Sequence, residues 1–125
     1  MSGATLDAGA LIAFERNQRN VVAVVARACE IGDVLAIPAG ALAQVWRDGS
    51  RQARLVRLLA SPLVEVVPLD DYTARAVGQL CGVAGVDDIV GVSVVLCARQ
   101  RGHQVLTSDP EDLRDIDPRL PLRRI

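Results

Sequence analysis

Lysine is absent from this sequence, histidine occurs once and cysteine three times. With one imidazole, His103, and thiols at Cys29, Cys81 and Cys97 far apart along the chain, a zinc site of Cys and His ligands is all but excluded. Three cysteines leave one unpaired in any disulfide scheme. They are expected to be buried or half-buried free thiols of a reducing compartment. No apolar run approaches the roughly 20 residues that a membrane-spanning helix needs. The longest, residues 89–98, runs into Arg99 and Arg101. Near the N-terminus no basic segment precedes an apolar one, and Asp7 stands where a signal core would be. The expectation is a soluble, cytoplasmic protein with no membrane partner.

All 14 basic residues are arginines, and with 15 acids the net charge is −1, so no overall field draws the chain to nucleic acid. The distribution is uneven. Arg47, Arg51, Arg54 and Arg57 form one basic cluster, and Arg119, Arg123 and Arg124 another. Acids gather at Asp87-Asp88 and between Asp109 and Asp117. Arginine suits two-pronged phosphate contacts; a GC-rich genome that encodes Arg in place of Lys accounts for the same composition.

At 125 residues the chain makes one domain, residues 1–125, with no repeat, low-complexity tract or linker. Residues 4–6, 34–37, 64–67 and 104–107 read as strands, with 122–125 as a short edge strand. Helical spacing covers 8–16, 21–31, 39–47, 51–60 and 70 to about 81. A last helix, capped by Asp87 or Asp88, runs through Ala98. Asp48-Gly49-Ser50 breaks the middle pair of helices, residues 82–85 read as a loop, and Asp109-Pro110 as an acidic turn. The alternation predicts an α/β fold: three layers, α/β/α, around a parallel sheet of four to five strands.

In such a sheet, ligands sit beyond the C-terminal ends of the strands. Asp7 closes the first strand, and Asp109 follows Thr107-Ser108 at the end of the fourth. Asp87 and Asp88 open the helix that leads into that strand. Three distant segments thus bring carboxylates to one edge. Oxygen ligands suit Mg²⁺ or Mn²⁺ rather than zinc or copper, and such an ion activates water and stabilises charge on a phosphodiester. Asp at a helix start is also an ordinary cap, and Asp-Pro an ordinary turn. Asp7, an acid closing a buried strand, is the one whose charge most needs partners. The stretch 7–10 carries a single glycine, so a nucleotide-binding regulator with a glycine-rich phosphate loop ranks low.

The segment Thr5-Leu6-Asp7-Ala8-Gly9-Ala10-Leu11-Ile12-Ala13 resembles the opening motif of PIN-domain proteins, with Asp7 as the first metal-binding acid. Asp88-Ile89-Val90-Gly91 through Cys97-Ala98-Arg99, then Val105-Leu106-Thr107-Ser108-Asp109-Pro110, resembles the third and fourth motifs, and residues 38–47 the second. The ordered set is similar to the VapC toxins of bacterial toxin–antitoxin pairs. That resemblance implies a PIN-like, Mg²⁺-dependent endoribonuclease, usually a homodimer, with RNA as substrate and a small VapB-like antitoxin as partner. It implies Asp7, Gln44, Asp88 and Asp109 as catalytic residues, metal on Asp7, Asp88 and Asp109, and Ser108 or Thr107 orienting a ligand or water.

Two positions depart from the pattern. The second motif's usual glutamate falls on Gln44, which offers a neutral carbonyl oxygen. Gly91 stands where a further acid of the third motif is common. Positions 88 and 91 share a helix face, so Gly91 removes a carboxylate from beside Asp88, while Asp87 points about 100° away. Losing charged ligands weakens the hold on a divalent ion.

Two readings follow. In one, the chain is an RNA-cleaving enzyme whose Arg47, Arg51 and Arg54 hold phosphates that the acids repel. In the other, it is an inactive PIN-domain protein that acts through antitoxin or dimer binding. Trp46 is expected to pack in the core, the alternative being an anchor in a partner groove.

Overall fold

Three strands have no wet face, and this sets their place in the sheet. The first, β1 (Gly3–Leu6), the second, β2 (Val34–Pro38), and the fourth, β4 (Gln104–Thr107), are buried along nearly their whole length. Strands buried on both sides are the interior of a parallel sheet covered by helices. The third, β3 (Val64–Val67), and the fifth, β5 (Leu122–Arg124), are half-exposed or exposed and lie at the edges. The order is β3-β2-β1-β4-β5, all parallel, in a computed structural model that describes residues 3–125. In register, Thr5 stands opposite Ala36 and Val105, and Leu6 opposite Leu106.

Helices close both faces. The helices are α1 (Ala8–Glu15), α2 (Arg19–Ile31), α3 (Ala39–Val45), α4 (Ala53–Leu59), α5 (Asp71–Ala84), α6 (Ile89–Arg101) and α7 (Pro110–Ile116). The α2 stripe Val21, Val25 and Ala28 faces the core, and the helix ends at Gly32, which takes a left-handed φ of 77°. The central helix is α6, buried at Val92–Val95, Cys97 and Ala98. Its C-terminal turn holds Arg99, whose Nε donates to Asp117 Oδ2 at 2.8 Å. On the α6 face of β1, Thr5 Oγ1 lies 3.1 Å from His103 Nδ1 and 3.6 Å from Cys97 Sγ. Burial, then the charge of Arg101, holds the His103 imidazole below its ordinary pKa. Gly3, at φ 155°, must be glycine, because a Cβ there would run into the His103 ring and the Val34 carbonyl.

Several sequence expectations are corrected. The helix α5 continues through Gly82 and Val83 to Ala84 and stops at left-handed Gly85, so 82–85 is not a loop. Asp109-Pro110 opens a helix instead of a simple turn, with the proline in its first turn. The helix α3 ends at Val45, a 3₁₀ turn occupies Gly49–Arg51, and α4 starts only at Ala53. Trp46 therefore leaves the helix in an extended conformation and is 40% exposed, its ring lying over Gly49, instead of packing in the core. Gln52 fixes this loop: its side chain accepts from the Arg47 and Asp48 amides and donates to the Val45 carbonyl. Of the three free thiols Cys97 is buried and Cys81 half-buried, but Cys29 is exposed. Cys29 is one residue, about 100°, off the buried stripe of α2.

Candidate functional site

The first turns of α1, α6 and α7 and the last turn of α3 enclose an acidic cavity at the C-terminal edge of the sheet. The chain leaves β1 at Asp7, which is extended and caps α1, its Oδ1 accepting from the Ala10 amide at 2.8 Å. The Asp7 amide continues the sheet by donating to Leu106 in β4 at 3.3 Å. Asp88 rather than Asp87 caps α6, its Oδ1 accepting from the Gly91 amide at 2.9 Å. Asp109 occupies the capping position of α7 without a side-chain cap bond. Gln44 lies in the last turn of α3 and is exposed.

Asp7, Gln44, Asp88, Asp109 and Asp112 all line one cavity of about 170 Å³, together with Ser108. Capping and pocket-lining thus coincide at Asp7 and Asp88. The positive ends of the helix dipoles offset part of the repulsion between these acids. Asp87 is exposed and outside the lining. Asp112 was missed from the sequence because Asp109-Pro110 read as a turn. A proline in the first turn followed by Glu111-Asp112 is the helix-start signal that would have found it.

Glycines let the walls close up. A Cβ at Gly9 would strike Ser108 Oγ, one at Gly40 would press on Val90 at 3.3 Å, and one at Gly91 would strike the Asp88 carboxylate. Burial, opposed by hydrogen bonds from Thr107 and Ala10, raises the Asp7 carboxyl above its ordinary pKa, and the charge of Asp109 adds to the rise. Thr107 is fully buried and its Oγ1 accepts from the Asp109 amide at 2.8 Å, so one hydroxyl links the two acids. Thr107→Val is therefore expected to cost about 1–3 kcal/mol, because the Asp109 amide loses its acceptor. Thr107→Ser should retain most of the stability. Urea unfolding of the two variants separates loss of the hydroxyl from loss of the methyl.

The cavity's donors are all oxygens and no arginine or histidine lines it. That set fits a hard divalent ion. Among the described residues no three His, Cys, Asp or Glu side chains stand close enough to grip one ion by themselves. Mg²⁺ commonly keeps several waters and takes only one or two protein carboxylates directly. The basic cluster lies elsewhere. Arg47 folds onto its own helix end, donating to the Ala43 and Trp46 carbonyls, and Arg51 stands 3.9 Å from Asp48. Arg54 and Arg57 edge a second groove, between α2 and α4, floored by Phe14, Val22, Val25 and Leu58.

No family model and no curated protein matches the sequence. Solved structures do match in fold. A chain of VapBC2 from Rickettsia felis, in a crystal structure bound to a DNA fragment from their promoter, gives a TM-score of 0.73 at 14% identity, covering 98% of each chain. A chain of FitAB bound to a DNA fragment gives 0.67 at 17%, covering 97% of this chain and 94% of that one. A chain of FitAcB from Neisseria gonorrhoeae gives 0.63 at 18%, covering 95% of each. The three-layer α/β/α architecture is the PIN-like fold of these chains.

Proposed function

We propose that the chain is the toxin of a VapBC-type toxin–antitoxin pair, a cytoplasmic Mg²⁺- or Mn²⁺-dependent endoribonuclease working as a homodimer. The observation that carries this reading is the cavity at the strand ends, with four carboxylates, one amide and no cation in its lining. Asp7, Asp88 and Asp109 would hold the ion directly or through water, with Gln44 assisting. The bound ion would supply an activated water and charge stabilisation at the scissile phosphate. Thr107 fixes Asp7 and Asp109, and Ser108, seated on Gly9, presents a hydroxyl to a ligand. A small antitoxin with an apolar, acidic segment suits the groove of α2 and α4 edged by Arg54 and Arg57.

The direct test is RNA cleavage by the purified chain with Mg²⁺, with Mn²⁺ and with chelator. Gln44→Glu adds a charge to the cavity and is expected to tighten Mg²⁺ binding about tenfold and to raise cleavage. Unchanged affinity in calorimetry would place position 44 outside the ion's shell.

The second reading, an inactive PIN-domain protein acting through antitoxin or dimer contacts, is favoured by the neutral Gln44 and by the lack of a closed three-acid group among the described residues. RNA that binds but survives at all metal concentrations would select it. In either case Arg47 and Arg51 on the α3–α4 loop, and Arg54 in the first turn of α4, are candidates for phosphate contacts. Arg51→Ala with Arg54→Ala should flatten the salt dependence of RNA affinity by about one unit per lost contact. A slope equal to wild type would remove these two arginines from the RNA-binding surface.

A further inference from the structure

We infer that Gly91 is a positioning residue: without a Cβ, it lets the Asp88 carboxylate lie back across the first turn of α6, so that Asp88 reaches an ion held by Asp7 and Asp109 through water and not as a direct ligand. The inference deepens, and rests on, the metal site proposed above.

Both oxygens of Asp88 are involved. Oδ1 accepts from the Gly91 amide at 2.9 Å. Oδ2 is the atom that a Cβ at position 91 would strike first, with Cγ at 2.9 Å and Oδ1 at 3.4 Å from it. The carboxylate therefore lies over the bare Cα of Gly91, in space that any other residue fills. Nothing in the Gly91 backbone demands glycine, since its φ is not left-handed. The requirement comes from Asp88 alone.

The sequence by itself presents Gly91 as a lost ligand, a carboxylate missing beside Asp88. The geometry adds a second effect, because the same glycine withdraws the acid that remains. Asp7, Asp88, Asp109 and Asp112 all line the cavity, yet among the described residues no three of them group around one point, and the seat on Gly91 is what sets the place of Asp88. Asp88 and Gly91 both face that cavity. A side chain at position 91 forces the carboxylate off this seat, and the inferred direction is into the cavity that Asp88 already lines.

The experiment is calorimetric titration of Mg²⁺ into the full chain as wild type, Gly91→Ala, Asp88→Asn and the double substitution, with amide hydrogen exchange at position 91 followed by NMR. Alanine is the better helix former, so Gly91→Ala keeps α6 intact. The expected results are faster exchange of that amide in Gly91→Ala and Mg²⁺ affinity about tenfold tighter, at the lower end of what changes in ligand orientation do. The double substitution should return to the affinity of Asp88→Asn. An amide at position 91 that stays as protected as in wild type overturns the inference, whatever the metal binding. So does a gain in affinity that survives Asp88→Asn. A complete absence of Mg²⁺ binding in every protein, with exchange faster in Gly91→Ala, sinks the metal reading and leaves only the seating of Asp88 on Gly91.

Discussion

Replacing Asp7 by asparagine is expected to lower metal-dependent RNA cleavage by roughly 10²–10³-fold, the equivalent of several kcal/mol of lost transition-state stabilisation. The same change should raise the unfolding midpoint of the metal-free protein at pH 7. Both effects come from one carboxyl. Burial first, and the neighbouring charge of Asp109, lift its pKa above the ordinary value, against hydrogen bonds from Thr107, Ala10 and Gly9. A folded-state pKa above the unfolded one means that the folded protein binds the proton more tightly. The stability tied to Asp7 is therefore complete below the unfolded pKa, about 4, and is lost as pH rises through the folded value. Asparagine keeps an oxygen for the Ala10 amide and carries no charge, so its advantage shows at pH 7 and fades below about pH 4. Mg²⁺ should raise the midpoint of wild type by mass action and leave the variant unmoved. Melting curves in chelator at pH 4 and pH 7 check the first half, and cleavage rates at saturating Mg²⁺ the second. A variant that melts below wild type at pH 7 would mean that the Asp7 charge has a stabilising partner.

Leu106→Ala is expected to cost about 3–4 kcal/mol, a large share of the roughly 5–15 kcal/mol that holds a domain of this size together. Leu106 is fully buried in β4, opposite Leu6 of β1, in the middle of the sheet. Three side-chain carbons are lost where two central strands and the helices above them meet, and close-packed neighbours relax only in part. Val66→Ala, on edge strand β3 and partly exposed, is the comparison and should cost under about 1 kcal/mol. Urea midpoints at equal slope measure both. The Leu106 carbonyl also receives the Asp7 amide, so the substitution should loosen the cavity as well as the core.

Strands were the most legible part of the chain. The strands at 64–67 and 104–107 match their expected bounds, because short apolar β-branched runs between turn residues have few other fates. Helix ends were less so. A lone glycine costs a helix only about 1 kcal/mol, and α5 runs over Gly82 because Leu80 and Cys81 pack against the core before Gly85 stops it. Asp-Pro carries a turn signal as strong as its helix-start signal, so spacing does not reveal that Pro110 opens α7 and brings Asp112 to the cavity. Apolar neighbours at Leu42 and Val45 place Trp46 in the core only if α3 continues, and because the helix ends at Val45 the side chain is exposed. That Asp7, Asp88 and Asp109 line one cavity is what parallel-sheet topology predicts, whereas Gln44 is pointed to only by the resemblance to a family motif. The seating of Asp88 on Gly91 and the bridge at Thr107 are matters of rotamer and ångström, which spacing along a chain does not encode.

The strand order carries a consequence for synthesis. The first strand made, β1, sits at the centre and pairs on one side with β4, about a hundred residues later in the chain. A nascent chain that has reached only β3 can pair β1 with β2 and β2 with β3, but it presents the β4 side of β1 as an open, apolar edge. It also lacks Asp88, Asp109 and Asp112, and with them the α6 and α7 walls of the cavity. Long-range pairing of this kind is slow and comes last. A ribosome that stalls or aborts before residue 107 therefore releases a fragment without a finished site.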